Sequence, residues 1–283
     1  MKQTGSVSRP IVSVVIPTLN AARTLRECLS SIGSQTYQNI EIFVADGGSH
    51  DATREIVEEY GAKFMGGPFS RSSARRRAAA ESSGAYLLFL DADQVLESTV
   101  VEECVLLCEF RGATAVKIPE RDCGRGIWAR CREIERQLAD TEALTYPRFF
   151  SRSVYQAIGG HLQGLEDYME DRDLYLRLRE RGFGSLRCKG QIINKLGRVN
   201  PLALGAKGAR AAKDSQEYFR RNLPKGETAG GMIRVRFHGF VHRARKVDWS
   251  LSALIMMAPY ILIVYGPRLF RTVSGELIAR LTD

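Results

Sequence analysis

The sequence predicts an α/β protein with a largely parallel sheet, and three observations carry that prediction. Strand-like and helix-like segments alternate through the first third of the chain. The strand-like segments are near-continuous β-branched and apolar runs, the pattern of strands covered on both faces. Each run stops at a small group of polar residues, and in such sheets ligands bind beyond the carboxyl ends of the strands.

Taken in order, IVSVVIPTLN (11–20) reads as a central buried strand and AARTLRECLSSIGSQ (21–35) as a helix with apolar positions at helical spacing. NIEIFVADGGS (39–49) is a second strand running into a Gly-Gly turn. HDATREIVEEYGAKF (50–64) and SRSSARRRAAAESSG (70–84) are predicted helices, and AYLLFL (85–90) is a third buried strand. Further on, CGRGIWARCREIERQLADTEAL (123–144) reads as a helix and YPRFFSRSVYQAIGG (146–160) as a strand followed by a helix. No internal repeat or low-complexity linker interrupts this order.

Composition is that of an ordinary globular chain: 283 residues, 44% hydrophobic and 26% charged, enough apolar material for a sizeable core. The net charge of +9 is uneven, because residues 187–283 hold 18 Lys and Arg against 6 Asp and Glu. A basic final third points to an anionic partner such as a phospholipid surface, a lipid-linked phosphate or a nucleic acid. The six cysteines show no CxxC pair and no zinc-like spacing with histidine, so they read as buried free thiols. The start MKQTGSVSRPIVSVV lacks the apolar stretch and cleavage site of a secretory signal, which with free thiols predicts a cytoplasmic protein.

The polar residues at the strand ends are Thr18, Asn20, Asp46, Ser49, Asp91 and Asp93. Asp91 and Asp93 flank Ala92 just past a buried strand. In an extended conformation two carboxylates at i and i+2 point to one side and repel unless a cation neutralises them. Their hard oxygens suit Mg²⁺ or Mn²⁺, and a divalent ion bridging diphosphate oxygens holds a nucleotide. Asp is also frequent in turns, which is the competing explanation. Asp46, followed by Gly47, Gly48 and Ser49, admits the same two readings: a turn, or an acceptor of hydrogen bonds from a base or ribose.

As a set the motifs are more specific. VSVVIPTLNAARTLRECLSSIGSQTYQNIEIFVADGGSHDAT, followed by SRSSARRRAAAESSGAYLLFLDAD, closely resembles the family 2 inverting glycosyltransferases over residues 10–186. The resemblance implies the GT-A nucleotide-diphospho-sugar transferase fold, a Rossmann-like and mainly parallel sheet flanked by helices. It implies that Pro17, Thr18 and Asn20 line a nucleotide pocket, that Asp46 contacts the base, and that Arg71 and Arg75 approach the diphosphate. It implies a metal-binding pair at Asp91 and Asp93, the second the direct ligand, with Asp91 and Ala92 beside the nucleotide sugar. The family often shows Asp-Asp-Gly-Ser where this chain has Asp46-Gly47-Gly48-Ser49, and Ala-Arg-Asn where it has Ala74-Arg75-Arg76.

Downstream, GGHLQGLEDYMEDRDLYLRLRERGF (159–183) carries Glu170-Asp171 and then Asp173. This phrase resembles the family's Glu-Asp motif at the start of a helix, where a carboxylate deprotonates the acceptor hydroxyl. A sugar hydroxyl is a poor nucleophile unless its proton leaves as the bond forms. Asp171 is the predicted base, with Glu170 assisting, and Glu166-Asp167 is a less well placed alternative. Acidic residues also favour helix N-termini for electrostatic reasons alone. Trp128, Tyr146 and Arg148 are candidates to touch an acceptor, but read more simply as packing or surface. Where the family often places a metal-binding histidine, the phrase here is IINKLGR, with Asn194 near that position.

The predicted organisation is a catalytic domain over 1–190 and a basic, apolar helical extension over 191–283. PLALGAKGARAAKDSQEYFRRN (201–222) has helical spacing, and RVRFHGFVHRARK (234–246) interleaves basic and aromatic residues, with His238 and His242 a weak zinc pair. WSLSALIMMAPYILIVYG (249–266) is the most apolar run, flanked by basic clusters and carrying Trp249, Tyr260 and Tyr265. Interrupted by Pro259, it fits a helix pair lying on the cytoplasmic membrane face better than a clean span, while a hairpin buried on the protein remains the alternative. The functional expectation is a metal-dependent inverting transferase using a nucleotide-diphosphate sugar, Mg²⁺ or Mn²⁺, and a lipid-linked (polyprenyl-phosphate) or glycan acceptor at an anionic membrane surface, with no nucleic acid. A nucleotidyltransferase is an alternative that also uses an α/β sheet and carboxylate-bound metal, though PTLNAARTL is not the Gly-rich basic loop it usually shows after its first strand. A nucleic-acid binder leaves the acidic front unexplained. A degenerate site that binds nucleotide without turnover is the other alternative.

Overall fold

The computed structural model describes residues 9–139, 145–162, 169–206, 255 and 257–264. The chain divides into two compact units. One comprises residues 1–119, 146–166 and 170–193, the other residues 120–145, 167–169 and 194–283.

The first unit is a seven-stranded sheet with helices on both faces. Its elements are β1 (Val12–Thr18), α1 (Ala22–Gly33), β2 (Ile40–Asp46), α2 (Thr53–Glu59), β3 (Lys63–Gly66), α3 (Arg71–Glu81), β4 (Tyr86–Phe89), the short β5 (Gln94–Leu96), α4 (Val100–Arg111) and β6 (Ala115–Lys117). After a long excursion the chain returns. We number the excursion's elements β7 (Glu120–Arg125) and α5 (Ile127–Ala139), and the returning ones β8 (Pro147–Ser151), α6 (Arg152–Ala157), α7 (Glu170–Glu180) and β9 (Ser185–Arg187). The strand order is β3-β2-β1-β4-β8-β6-β9. Every neighbouring pair is parallel except those made by β8, which runs antiparallel to β4 and β6. The mixed, mainly parallel sheet is the predicted fold class.

Alternation along the strands sorts the core into two layers. Val12, Val14 and Ile16 of β1, with Val44 and Leu88, pack against Leu25, Leu29 and Ile32 of α1, Ile56 of α2 and Val101 of α4. Val15, Phe43, Ala45, Leu87 and Phe89 face the other way, against Ala74 and Ala78 of α3, Tyr155 of α6 and Leu174 and Leu178 of α7. The small alanines of α3 let that helix lie close to the sheet, which brings its arginines to the strand ends.

The helix expected over 50–64 is corrected at its far end. Gly61 takes φ +64, closing α2, and Lys63–Gly66 instead pairs in parallel with Phe43–Asp46. Edge pairing outweighs the helical pattern there. Lys63 reaches Glu41 at 3.2 Å and stands 4.6 Å over the Phe43 ring, a charged guard on an edge strand.

In the second unit, β7 and α5 meet at Gly126 (φ +88). The helix expected from residue 123 therefore begins at Ile127, and its expected end past residue 139 lies outside the described residues. β10 (Ile192–Arg198) starts in the first unit and ends in the second. Cys131 and Ile134 of α5 pack with Met257, Tyr260 and Val264 of the helical stretch 257–264, and with Trp128 and Leu204. Asn200 caps the helix at 201–206, its Oδ1 accepting from the Leu202 N–H at 3.0 Å. The rest of the 201–222 reading, the 234–246 segment with its histidines, and Trp249 and Tyr265 lie outside the described residues. Among the described residues no helix is long and apolar enough to cross a membrane. All six cysteines are free thiols, Cys123 alone being exposed.

Candidate functional site

The ends of β1 and β2 build one half of the site. Their parallel register sets Thr18 opposite Asp46. The Thr18 hydroxyl donates to Asp46 Oδ1 at 2.9 Å, and the Gly48 and Ser49 N–H groups donate to Oδ2 at 3.0 and 2.7 Å. The Ser49 hydroxyl adds a bond to Oδ1 at 2.5 Å. Burial pushes the Asp46 pKa up, but these donors outweigh it and hold the carboxyl below its usual range. Asn20, at φ +51, adopts the left-handed backbone that Asn tolerates. Its N–H donates to Ser49 Oγ at 2.7 Å, and its Oδ1 accepts from the His50 N–H at 2.9 Å. The two loops are thus laced together without a ligand. Pro17 sits half-buried beside Thr18 on the strand.

Gly47 explains one departure from the family pattern. A Cβ there would lie 2.8 Å from the Phe69 carbonyl oxygen, so the aspartate often found at this position does not fit this backbone.

The other half centres on Arg75, whose side chain is 1% exposed. Its Nη2 donates to Asp91 Oδ1 at 2.7 Å, and its Nη1 donates to Glu170 Oε1 at 2.8 Å and Asp171 Oδ1 at 3.0 Å. One guanidinium therefore joins the strand-end aspartate to the first turn of α7. The antiparallel course of β8 delivers Arg148 to the same place, 3.6 Å from Asp91 Oδ2 and 3.3 Å from Asp171 Oδ2. Desolvation would raise both aspartates, yet the arginines win. Arg75, Arg148 and Arg71 hold Asp91 below its ordinary value, and Arg148 and Arg75, with His161, hold Asp171 far below it. Glu170, almost fully buried, is pushed up to about 7 by desolvation despite Arg75.

Of the predicted residues, then, the structure brings Arg71, Arg75, Asp91, Glu170 and Asp171 together around one centre and Thr18, Asn20 and Asp46 around another. The extended arrangement expected for Asp91 and Asp93 is corrected. Residues 91–94 form a turn, with the Gln94 N–H donating to the Asp91 carbonyl at 3.0 Å and the Asp91 N–H to Gln94 Oε1 at 2.8 Å. Asp91 turns inward to the arginines, Ala92 is half-buried and Asp93 is exposed. A turn does not align i and i+2 as a strand does. Asp173 is a helix-terminal acid that pairs with Arg177 at 2.5 Å. Glu166 and Asp167 lie outside the described residues.

Asn194, in the second unit, is buried and donates to Asp122 at 2.7 Å and Glu120 at 3.2 Å. Trp128 stacks on Tyr260 in that unit's core, as the packing reading had it, and Tyr146 lies 5.8 Å from the Tyr175 ring. Arg148, read mainly as packing, belongs to the acidic centre. His161 was not singled out at all. It is fully buried, with Nε2 3.9 Å from Asp171 Oδ1 and a pKa lowered to about 4 by burial and the two arginines against the pull of Asp171. The one local signal for it is a histidine directly after Gly159-Gly160.

Comparison with known proteins finds relatives in sequence and in fold. The glycosyltransferase GlyA of Streptococcus pneumoniae is 37% identical over 97 residues, 32% of this chain and 14% of its own. AglE of Haloferax volcanii, also a glycosyltransferase, is 36% identical over 96 residues, 30% of this chain and 31% of its own. The matched part thus spans less than a third of these relatives. Among solved structures, a mannosyltransferase from Pyrobaculum calidifontis in complex with GDP-Man and Mn²⁺ superposes with a TM-score of 0.60 at 17% identity, covering 98% of this chain and 87% of that one. Glucosyl-3-phosphoglycerate synthase from Mycobacterium tuberculosis, in complex with Mn²⁺, UDP and phosphoglyceric acid, gives 0.52 at 22%, covering 76% and 80%. At these identities the structural likeness concerns the fold alone. The family model for glycosyl transferase family 2 matches residues 13–168, more than half of the chain, and the protein belongs to that family.

Proposed function

We propose that this protein transfers a sugar, with inversion, from a nucleotide-diphosphate sugar to an acceptor hydroxyl. The observation that carries the reading is the Arg75 guanidinium, which couples the strand-end Asp91 to the carboxylates of α7. Inverting transfer needs a leaving diphosphate on one side of the sugar and a base on the other, and in this reading Asp91 belongs to the diphosphate side and Asp171 is the base. The laced Thr18–Asp46–Ser49 loops, with Pro17 and Asn20 beside them, are suited to the nucleoside. Arg71, at the first turn of α3, is suited to the diphosphate. Asp171 stays ionised throughout the physiological range, so it is always ready to accept the acceptor's proton. Its low basicity is the cost of its arginine partners, and close placement makes up for that. Glu170, pushed up to about 7 by burial, accepts from the same Arg75 guanidinium and helps to orient Asp171.

Our reading includes a divalent ion. Asp93 is an exposed carboxylate at the turn, and Mg²⁺ or Mn²⁺ takes one or two carboxylates and completes its shell with phosphate oxygens and water. Asp93, backed by Asp91, would hold it, and the ion would stabilise the charge that develops on the leaving diphosphate. The complexes of the two similar enzymes with Mn²⁺ support this reading.

The acceptor we propose is lipid-linked or a glycan held at an anionic membrane surface on the cytoplasmic side. All the exposed residues in the described part of the 249–266 run are apolar: Ile255, Ala258, Pro259, Ile261 and Leu262. A helix facing water presents polar groups there, whereas one lying on lipid does not. The division into a 1–190 catalytic part and a 191–283 membrane-directed part goes with this proposal. The function is tested by thermal shift with nucleotide sugars and MnCl₂, then by transfer assays. Binding of one donor and loss of transfer in Asp93→Ala and Asp171→Ala are expected. Nucleotide binding with no turnover would favour a degenerate binder. Failure to pellet with anionic liposomes would remove the membrane part alone.

A further inference from the structure

Close to Asp171 lies a buried donor that the ion pairs do not use. The His161 ring stands edge-on to Phe89, with centroids 4.7 Å apart. Its Nδ1 is 2.9 Å from the Tyr155 hydroxyl, and that same hydroxyl oxygen accepts from the His161 backbone N–H at 3.1 Å. A buried phenol that already accepts one hydrogen bond still has its own proton to place, and Nδ1 is the acceptor within reach. Nδ1 is then unprotonated, and the neutral ring carries its hydrogen on Nε2. That Nε2 has no hydrogen-bond partner among the described residues and faces Asp171 Oδ1 at 3.9 Å.

We propose that Tyr155 and His161 are a positioning pair for Asp171. Tyr155 locks the imidazole in its Nε2–H tautomer, and Nε2–H steers the Asp171 carboxylate into the orientation in which it takes the acceptor's proton. This rests on Asp171 being the base. The present separation is too long for a hydrogen bond, and such contacts commonly tighten only when substrate is bound. The neutrality of the donor is central. The groups facing His161 are Tyr155 from α6, Phe89 from β4, Asp171 from α7, and the guanidiniums of Arg75 from α3 and Arg148 from β8. Two cations already weaken the base. A third would weaken it further, whereas an uncharged N–H orients it at little electrostatic cost.

The first test needs no substrate. Long-range ¹H–¹⁵N correlation of the ¹⁵N-labelled full chain is expected to show His161 protonated at Nε2 alone, with mixed tautomers in Tyr155→Phe. Protonation at Nδ1 in the unaltered protein overturns the proposal. The second test follows nucleoside diphosphate release from UDP-glucose, UDP-GlcNAc or GDP-mannose with MnCl₂. Loss of orientation in His161→Phe is expected to lower kcat roughly 10- to 100-fold with KM for the donor unchanged. His161→Gln, whose amide N–H reaches the Nε2 position, is expected to recover most of it, and His161→Asn is not. Equal losses in Gln and Asn variants that melt like the parent overturn the proposal, as does parental turnover in His161→Phe. Asp171→Asn, assayed alongside, separates the two ideas. If it stays active, the base assignment fails; if it is dead while His161→Phe is unaffected, only the positioning pair fails.

Discussion

At the scale of single residues, Arg75 is the most consequential side chain in the chain. It is long enough to span from α3 to both β4 and α7, and its planar fork meets three carboxylates at once. Arg75→Met is expected to leave Asp91, Glu170 and Asp171 facing one another with Arg148 as their main remaining cation. Breaking a buried pair from one side costs about 3–5 kcal/mol, read as a lower urea midpoint, and activity is expected to vanish with it. Arg75→Lys keeps the charge but not the fork, so an intermediate loss is expected. Parental stability in Arg75→Met would mean that the acidic centre does not depend on this guanidinium. Gly47 carries the converse lesson, since here the absence of a side chain matters. With the Phe69 carbonyl 2.8 Å from where a Cβ would sit, Gly47→Ala is expected to cost roughly 1–3 kcal/mol and to raise the KM for nucleotide by distorting the Asp46 loop. An unchanged denaturation curve would show that the loop yields freely.

Among the elements, the joint between α3 and β4 decides where Arg75 and Asp91 stand. Arg152, at the start of α6, holds it. Its Nε donates to the Gly84 carbonyl at 2.5 Å, its Nη1 to the Ala79 carbonyl at 2.7 Å and its Nη2 to Ser82 Oγ at 2.8 Å. The bond to Ala79 serves a last-turn carbonyl that the end of α3 leaves without a helical partner, and the other two tie down the loop that follows. Arg152→Ala is expected to cost about 2–3 kcal/mol, measured by chemical denaturation, because charged donors to buried acceptors are lost. A loss within experimental error would place the joint's strength in the sheet instead. This element-level wiring was largely illegible in the sequence. The strands β1, β2 and β4 and the helices α1 and α3 were readable because continuous apolar runs and helical spacing are local signals. So were Thr18, Asp46 and Asp91, which stop those runs. Lys63–Gly66 was misread because its strand exists only through pairing with β2. Arg148 reads as packing or surface, and His161 carries no signal of its own, for a similar reason. Nothing local distinguishes an arginine in PRFFS, and only the antiparallel return of β8 carries it to Asp91. The turn at 91–94 was an open alternative in the sequence, and the Gln94 hydrogen bonds are what select it.

Across the molecule, the buried ionisable groups predict how stability depends on pH, and they do not all pull the same way. Glu41 is lowered to about 2 because the Ser13, Ser83 and Lys63 donors outweigh its desolvation. Asp46, Asp91 and Asp171 are likewise held low. Each stabilises the fold above its unfolded pKa of about 4, and that stabilisation is lost as pH falls through the folded value. His161 is lowered to about 4 as a base. The unfolded chain binds its proton first, so its contribution is present above about 6.5 and drains away as pH falls toward 4. Glu170, pushed up to about 7, works in the opposite sense. The folded state holds its proton when the unfolded state has released it, so its contribution is present at low pH and lost as pH rises from about 4.3 through 7. Between about pH 4.5 and 6.5 the His161 and Glu170 slopes oppose and a near-flat plateau is expected, followed by a steep fall below about pH 4 where the carboxylates titrate together. Urea midpoints at constant ionic strength measure this directly. Glu170→Gln removes one of the opposing slopes, so in that variant stability is expected to rise from pH 5 to 7 where the parent is flat. Removing His161 in His161→Gln is expected to leave the opposite tilt, stability falling over the same interval. Parallel profiles for the two variants would mean that Glu170 and His161 do not hold the protonation states that their burial beside Arg75 and Arg148 dictates.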